Sequence, residues 1–91
     1  MPLPILKKLI SFKTENPPGD EYKVVNYVSR LFFQHKIKYR QYAKVRGRDN
    51  IIGEIGSGKP RLLIACHADT VPAGEGWKSD PFKAVVKGGR V

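Results

Sequence analysis

The chain reads as a layered α/β fold, and three observations carry that reading: a helical apolar repeat over residues 20–36, a period-two alternation over 37–46, and an apolar run at 62–66. The repeat gives a helix one buried stripe and the alternation gives a strand one buried face. Leu62-Leu63-Ile64-Ala65-Cys66 lacks alternation, so it predicts a central strand covered on both sides. Helices on both faces of a sheet follow.

Taken in order, Pro4 followed by Ile5, Leu6, Leu9 and Ile10 predicts a short helix over residues 4–12, started by a proline whose missing N–H falls where no intrahelical bond is made. Paired prolines stop it, making residues 14–19 an irregular loop. Asp20 and Glu21 favour a helix N-terminus, and Val24, Val25, Val28, Leu31 and Phe32 repeat at helical spacing down to Lys36. The alternating segment places Ile37, Tyr39, Gln41, Ala43 and Val45 on one face and Lys36, Lys38, Arg40, Tyr42, Lys44 and Arg46 on the other. Turns at 47–50 and 56–60 then separate strands at 51–55 and 61–66. Residues 83–87 predict a further strand, and Gly88-Gly89 a two-residue hairpin turn before Arg90 and Val91.

Composition bounds the function. Ninety-one residues make one small domain at most, and 41% apolar residues with 27% charged residues of mixed sign exclude a disordered tail. The longest apolar run is far below the roughly 20 residues of a membrane span. Lys7 and Lys8 interrupt the first apolar stretch, which argues against a secretory signal, and one cysteine cannot form an internal disulfide. A cytoplasmic location is expected. The net charge of +9 raises nucleic-acid binding through residues 36–48, where tyrosines interleave with Lys and Arg. The alternation favours instead a strand with a solvated basic face.

Gly53-Glu54-Ile55-Gly56-Ser57-Gly58-Lys59 matches the spacing of a phosphate-binding loop, but Pro60 stands where Ser or Thr should hold magnesium and no helix is predicted to follow. A plain turn is the reading. Cys66 and His67 would point to opposite faces of a strand, which excludes a thiol–imidazole pair and predicts Cys66 as a small buried residue. His67 and Asp69, two apart at the C-terminal end of a central strand, fall on one side and can touch. An imidazole oriented by a carboxylate makes a good metal ligand, although a catalytic zinc needs at least three protein ligands. His35 suits the C-terminus of the long helix, and Trp77 and Phe82 are expected to seal the core rather than wall a cleft.

Leu63-Ile64-Ala65-Cys66-His67-Ala68-Asp69-Thr70-Val71-Pro72, followed by Gly76-Trp77 and Asp80-Pro81-Phe82, resembles the dinuclear zinc amidohydrolases. This is the metallopeptidase family of acetylornithine deacetylase, succinyl-diaminopimelate desuccinylase, aminoacylase and glutamate carboxypeptidase. The Asn16-Pro17-Pro18-Gly19 loop and Asp49-Asn50-Ile51-Ile52 resemble the same family in the same order. The resemblance implies that residues 1–91 are the N-terminal part of a layered mixed-sheet catalytic domain, with two helices and about four strands, and without the dimerisation domain. It makes His67 a metal ligand and Asp69 the catalytic carboxylate that orients its imidazole.

The same resemblance implies two zinc ions, with cobalt possible, and a small N-acyl amino acid or peptide as substrate. The complete enzyme is expected to be a homodimer and no membrane is involved. Its other metal ligands are expected beyond Val91, so this stretch by itself is expected to be inactive. Two other classes remain: a small basic nucleic-acid-binding module without catalysis, and an interaction fragment pairing through an open edge at Arg90 and Val91.

Overall fold

The computed structural model describes residues 2–91. Helix α1 spans Pro2–Ile10, α2 spans Tyr22–Gln34, and strands β1 (Lys38–Ala43) and β2 (Asp49–Glu54) form an antiparallel pair. Two helices and a hairpin make a small α/β unit. The expected layered domain of about four strands is not present among the described residues.

Both helices end where the backbone turns left-handed or loses its ladder. Helix α1 begins with Pro2 and closes when Ser11 N–H bonds back to Lys8 O and Phe12 N–H to Leu9 O, tighter spacings that terminate an α-helix. Helix α2 is shorter than the predicted 20–36, because Asp20 (φ 52°) and Lys36 (φ 56°) are both outside helical space. Its last turn is a Schellman motif: Ile37 N–H bonds to Phe32 O at 2.8 Å and Lys36 N–H to Phe33 O at 3.1 Å. His35 caps that end, as its position predicts.

In the hairpin Lys38 pairs with Glu54 and Ala43 with Asp49. The expected inner face is correctly turned, since the Tyr39 ring lies 6.2 Å from Phe32 of α2 and Gln41 Nε2 donates to Asn26 Oδ1. Opposite Tyr39 stands Gly53, where a Cβ would come within 2.6 Å of the Phe32 ring. Every residue of β1 is nonetheless exposed, so the strand is not half-buried.

The predicted central strand is overturned. Residues 62–66 run as irregular chain, and Leu62, Leu63 and Ile64 are 80%, 86% and 82% exposed. A strand exists only through its ladder, and among the described residues none pairs with this stretch. Cys66 is accordingly exposed rather than buried. Residues 83–87 also lack a strand, but the turn is present: Lys87 and Arg90 exchange both backbone bonds, with Gly88 (φ 59°) and Gly89 (φ 73°) in the left-handed conformation of a type I′ turn.

The core is correspondingly slight, with Val24 and Val25 of α2 its buried apolar residues. The chain exposes 8233 Å², against about 5300 Å² for a compact monomer of its mass. Its radius of gyration is 15.1 Å, where a compact chain of this length has about 12 Å.

Candidate functional site

The loop between the helices holds the segment that carries His67 and Asp69. Buried Thr14 donates its hydroxyl to Ala68 O at 2.7 Å, and its own carbonyl accepts from Thr70 N–H at 3.0 Å. Asn16 N–H donates to Thr70 O at 2.8 Å, which completes a parallel bridge between Glu15 and Thr70. Farther along, Ala73 N–H donates to Glu15 Oε2 at 2.7 Å. These ties, rather than a strand ladder, latch residues 68–73 in place.

Within the latch His67 and Asp69 meet, as their spacing predicts. The imidazole Nδ1 lies 2.8 Å from the Asp69 carbonyl oxygen and 3.3 Å from Asp69 Oδ1. A neutral ring donating from Nδ1 keeps its lone pair on Nε2, the form a metal ligand needs. Nε2 has no partner among the described residues, and the side chain is 84% exposed.

Asp69 Oδ2 accepts from Asn16 Nδ2 at 3.2 Å and lies 3.4 Å from Arg48 Nη2. The Asn16 hydrogen bond, with His67 and Arg48 nearby, holds the Asp69 carboxyl below the usual carboxylate range. Arg48 grips Glu21 through both Nε and Nη2, with Nη2 2.6 Å from Glu21 Oε1. That grip lowers Glu21 against the opposing effect of its burial and raises Arg48. Glu21 therefore serves the ion pair; it makes no side-chain cap on α2.

Sequence reasoning placed His67 and Asp69 and missed Thr14, Glu15, Glu21 and Arg48 as their supports. Arg48 was hidden in a basic stretch, and Glu21 looked like a helix-start residue. Trp77, expected in the core, is 59% exposed with its Nε1–H donated to Ala73 O. Phe82 is half-buried beneath the Lys13 ammonium, 5.3 Å from the ring centroid. The glycine-rich 53–59 stretch leads into irregular chain rather than a helix, consistent with a turn.

For a metal, His67 fits one coordination position. Among the described residues no group of three or more His, Cys, Asp or Glu side chains could hold an ion, so these residues do not form a complete zinc site.

Known proteins are similar to this chain over part of their own length. A succinyl-diaminopimelate desuccinylase of Acidiphilium cryptum is 32% identical over 88 residues, covering 97% of this chain and 23% of its own length. A probable succinyl-diaminopimelate desuccinylase of Staphylococcus aureus is 35% identical over 89 residues, covering 96% of this chain and 22% of its own. This chain is similar to the succinyl-diaminopimelate desuccinylases. A third desuccinylase, from Gluconobacter oxydans, is 50% identical over 42 residues, or 46% of the chain.

The chain spans about a fifth of the length of the curated desuccinylases it matches. No family model matches it. No solved structure matches it significantly. The relationship is to desuccinylases, and it does not favour the nucleic-acid reading of residues 36–48. No helix among the described residues is long and apolar enough to cross a membrane.

Proposed function

We propose that this chain contributes one metal ligand and its orienting carboxylate to a metal-dependent hydrolase that deacylates a small N-acyl amino acid, of the N-succinyl type. The observation that carries the reading is His67, whose Nδ1 faces Asp69 while Nε2 stays open to solvent. The similarity to desuccinylases supports the substrate class. In this reading His67 binds zinc or cobalt through Nε2, and the remaining ligands come from residues outside this chain. The metal would supply an activated water and a Lewis acid for the amide carbonyl. A reducing cytoplasmic setting suits the exposed thiol of Cys66.

Zinc titration of the ¹⁵N-labelled chain tests the ligand assignment. His67 Nε2 is expected to shift progressively with weak affinity, His35 much less, and His67→Ala removes the response. A silent His67 at millimolar zinc overturns the assignment. Hydrolysis of N-succinyl or N-acetyl amino acids by these 91 residues with zinc or cobalt overturns the requirement for further ligands.

A further inference from the structure

Strand β2 pairs with β1 along one edge and, among the described residues, with nothing along the other. Residues 63–66, apolar, exposed and themselves unpaired, stand across an open groove from it. The groove measures about 910 Å³, with residues 50–53 of β2 on one wall and residues 63–66 on the other. Helix α2 lines it with Val24, Val25, Val28 and Phe32. The latch through Thr14 and Asn16 ties down the chain at the end of the second wall and so fixes where that wall stands.

Two unpaired backbone edges on one gap set the chemistry of what fits. A helix keeps its N–H and C=O groups for its own ladder and would cover both edges without giving them partners, at a cost for every stranded group. An extended segment offers donors and acceptors on both of its sides and satisfies the two walls together. Its face toward α2 meets apolar side chains, so that face is apolar in turn. The carboxylates that line the groove are already partnered, Glu21 by Arg48, Asp49 by Gln41 and Asp69 by Asn16, so none calls for a charge on the occupant.

We infer that the groove is the seat of one β-strand supplied by polypeptide outside these 91 residues, uncharged and apolar over about five residues, which joins β2 and residues 62–66 into one sheet. Length supports that origin, since the chain spans about a fifth of the desuccinylases it matches. A second copy suits the seat less well, because its bare apolar stretch, residues 62–66, is held as a wall of its own groove. The inference goes beyond the reading of His67 and makes no use of a metal, so the two stand or fall separately.

Hydrogen exchange of the ¹⁵N-labelled 91-residue chain in dilute buffer tests the seat. The probe is a capped seven-residue peptide, five valines and isoleucines between two lysines; its positive ends prevent attraction to a chain of charge +9 from driving the binding. Peptide at ten times its dissociation constant is expected to raise protection about tenfold at the free-edge amides of β2 and at alternate amides of residues 62–66, both over the same concentration range. The same peptide methylated on alternate backbone nitrogens keeps its side chains but loses the donors of one edge, and is expected to leave one wall unprotected. Ile64→Asp changes an exposed side chain, and is expected to abolish the gain at both walls while the β1–β2 ladder stays as it was.

Protection of one wall alone, or an equal gain with the methylated peptide, overturns the inference: the peptide has then covered an apolar surface without joining the sheet. Protection of both walls in the free chain that rises with its concentration gives the groove to a second copy, and protection independent of concentration shows that the walls close on each other. Either result overturns the inserted strand. So does the lack of any gain with millimolar peptide, and so does a β1–β2 ladder that is itself unprotected.

Discussion

Replacing Thr14 by Val tests whether the latch, rather than a strand, holds the His67 segment. Valine has nearly the shape of threonine, so the change removes one donor and little volume. The lost bond is Thr14 Oγ1 to Ala68 O, 2.7 Å long and anchored on a side that is 3% exposed. Ala68 itself is exposed, so water takes over its carbonyl and no buried acceptor is orphaned. The cost is then the net value of one hydrogen bond, about 1 kcal/mol, rather than a full desolvation penalty.

Spread over the latch, that loss lowers the hydrogen-exchange protection of the Asn16 and Thr70 amides about fivefold. These two amides are the reporters because they donate across the latch, to Thr70 O and Thr14 O. Amides of the β1–β2 ladder, which share no partner with Thr14, should keep their protection. Equal losses in latch and hairpin would show that the two open together. Unchanged latch amides would show that the hydroxyl contributes nothing.

Other perturbations separate the remaining contributions. Gly53→Ala places a methyl 2.6 Å from Phe32 Cε2 and 2.9 Å from Cζ; crowding of about 1–3 kcal/mol outweighs the gain of about 0.5–1 kcal/mol from removing a strand glycine, so urea melts should show net destabilisation. Lys36→Gly relieves a left-handed lysine at the C-terminal turn of α2 and should stabilise by about 0.5–1 kcal/mol, seen as a higher urea midpoint at unchanged slope. Glu21, held below its ordinary value by Arg48, contributes stability that is present above about pH 4.3 and lost as pH falls through its lower folded value. Carboxyl ¹³C shifts of Glu21 followed down from pH 7 check the sign, and titration at or above the ordinary value would contradict it.

The parts of the fold legible from sequence were those whose signal is local. Helix α2 follows from its apolar spacing, the hairpin from alternation and the I′ turn from two adjacent glycines. The helix ends were misplaced because Asp20 and Lys36 adopt positive φ, which neither residue type announces. Residues 62–66 misled because apolar continuity implies covering layers and pairing partners, and among the described residues this stretch is neither covered nor paired. At the site, His67 and Asp69 do meet, but on irregular chain rather than on the strand whose alternation predicted the contact, and the shortest approach is to the Asp69 backbone carbonyl. Their supports did not follow, since Thr14 meets Ala68 across 54 positions and Arg48 meets Glu21 across 27. No short-range pattern encodes such pairs.

The bare stretch Leu62-Leu63-Ile64 also bears on how the molecule behaves in solution. It is flanked by Lys59, Pro60 and Arg61, and the chain as a whole carries +9. Like-charge repulsion and a proline then guard a sticky ribbon that nothing shields. At 1 M salt the Debye length shrinks to about 3 Å, that guard fades, and copies of the chain will clump through this ribbon, so dilute buffer is its natural storage condition.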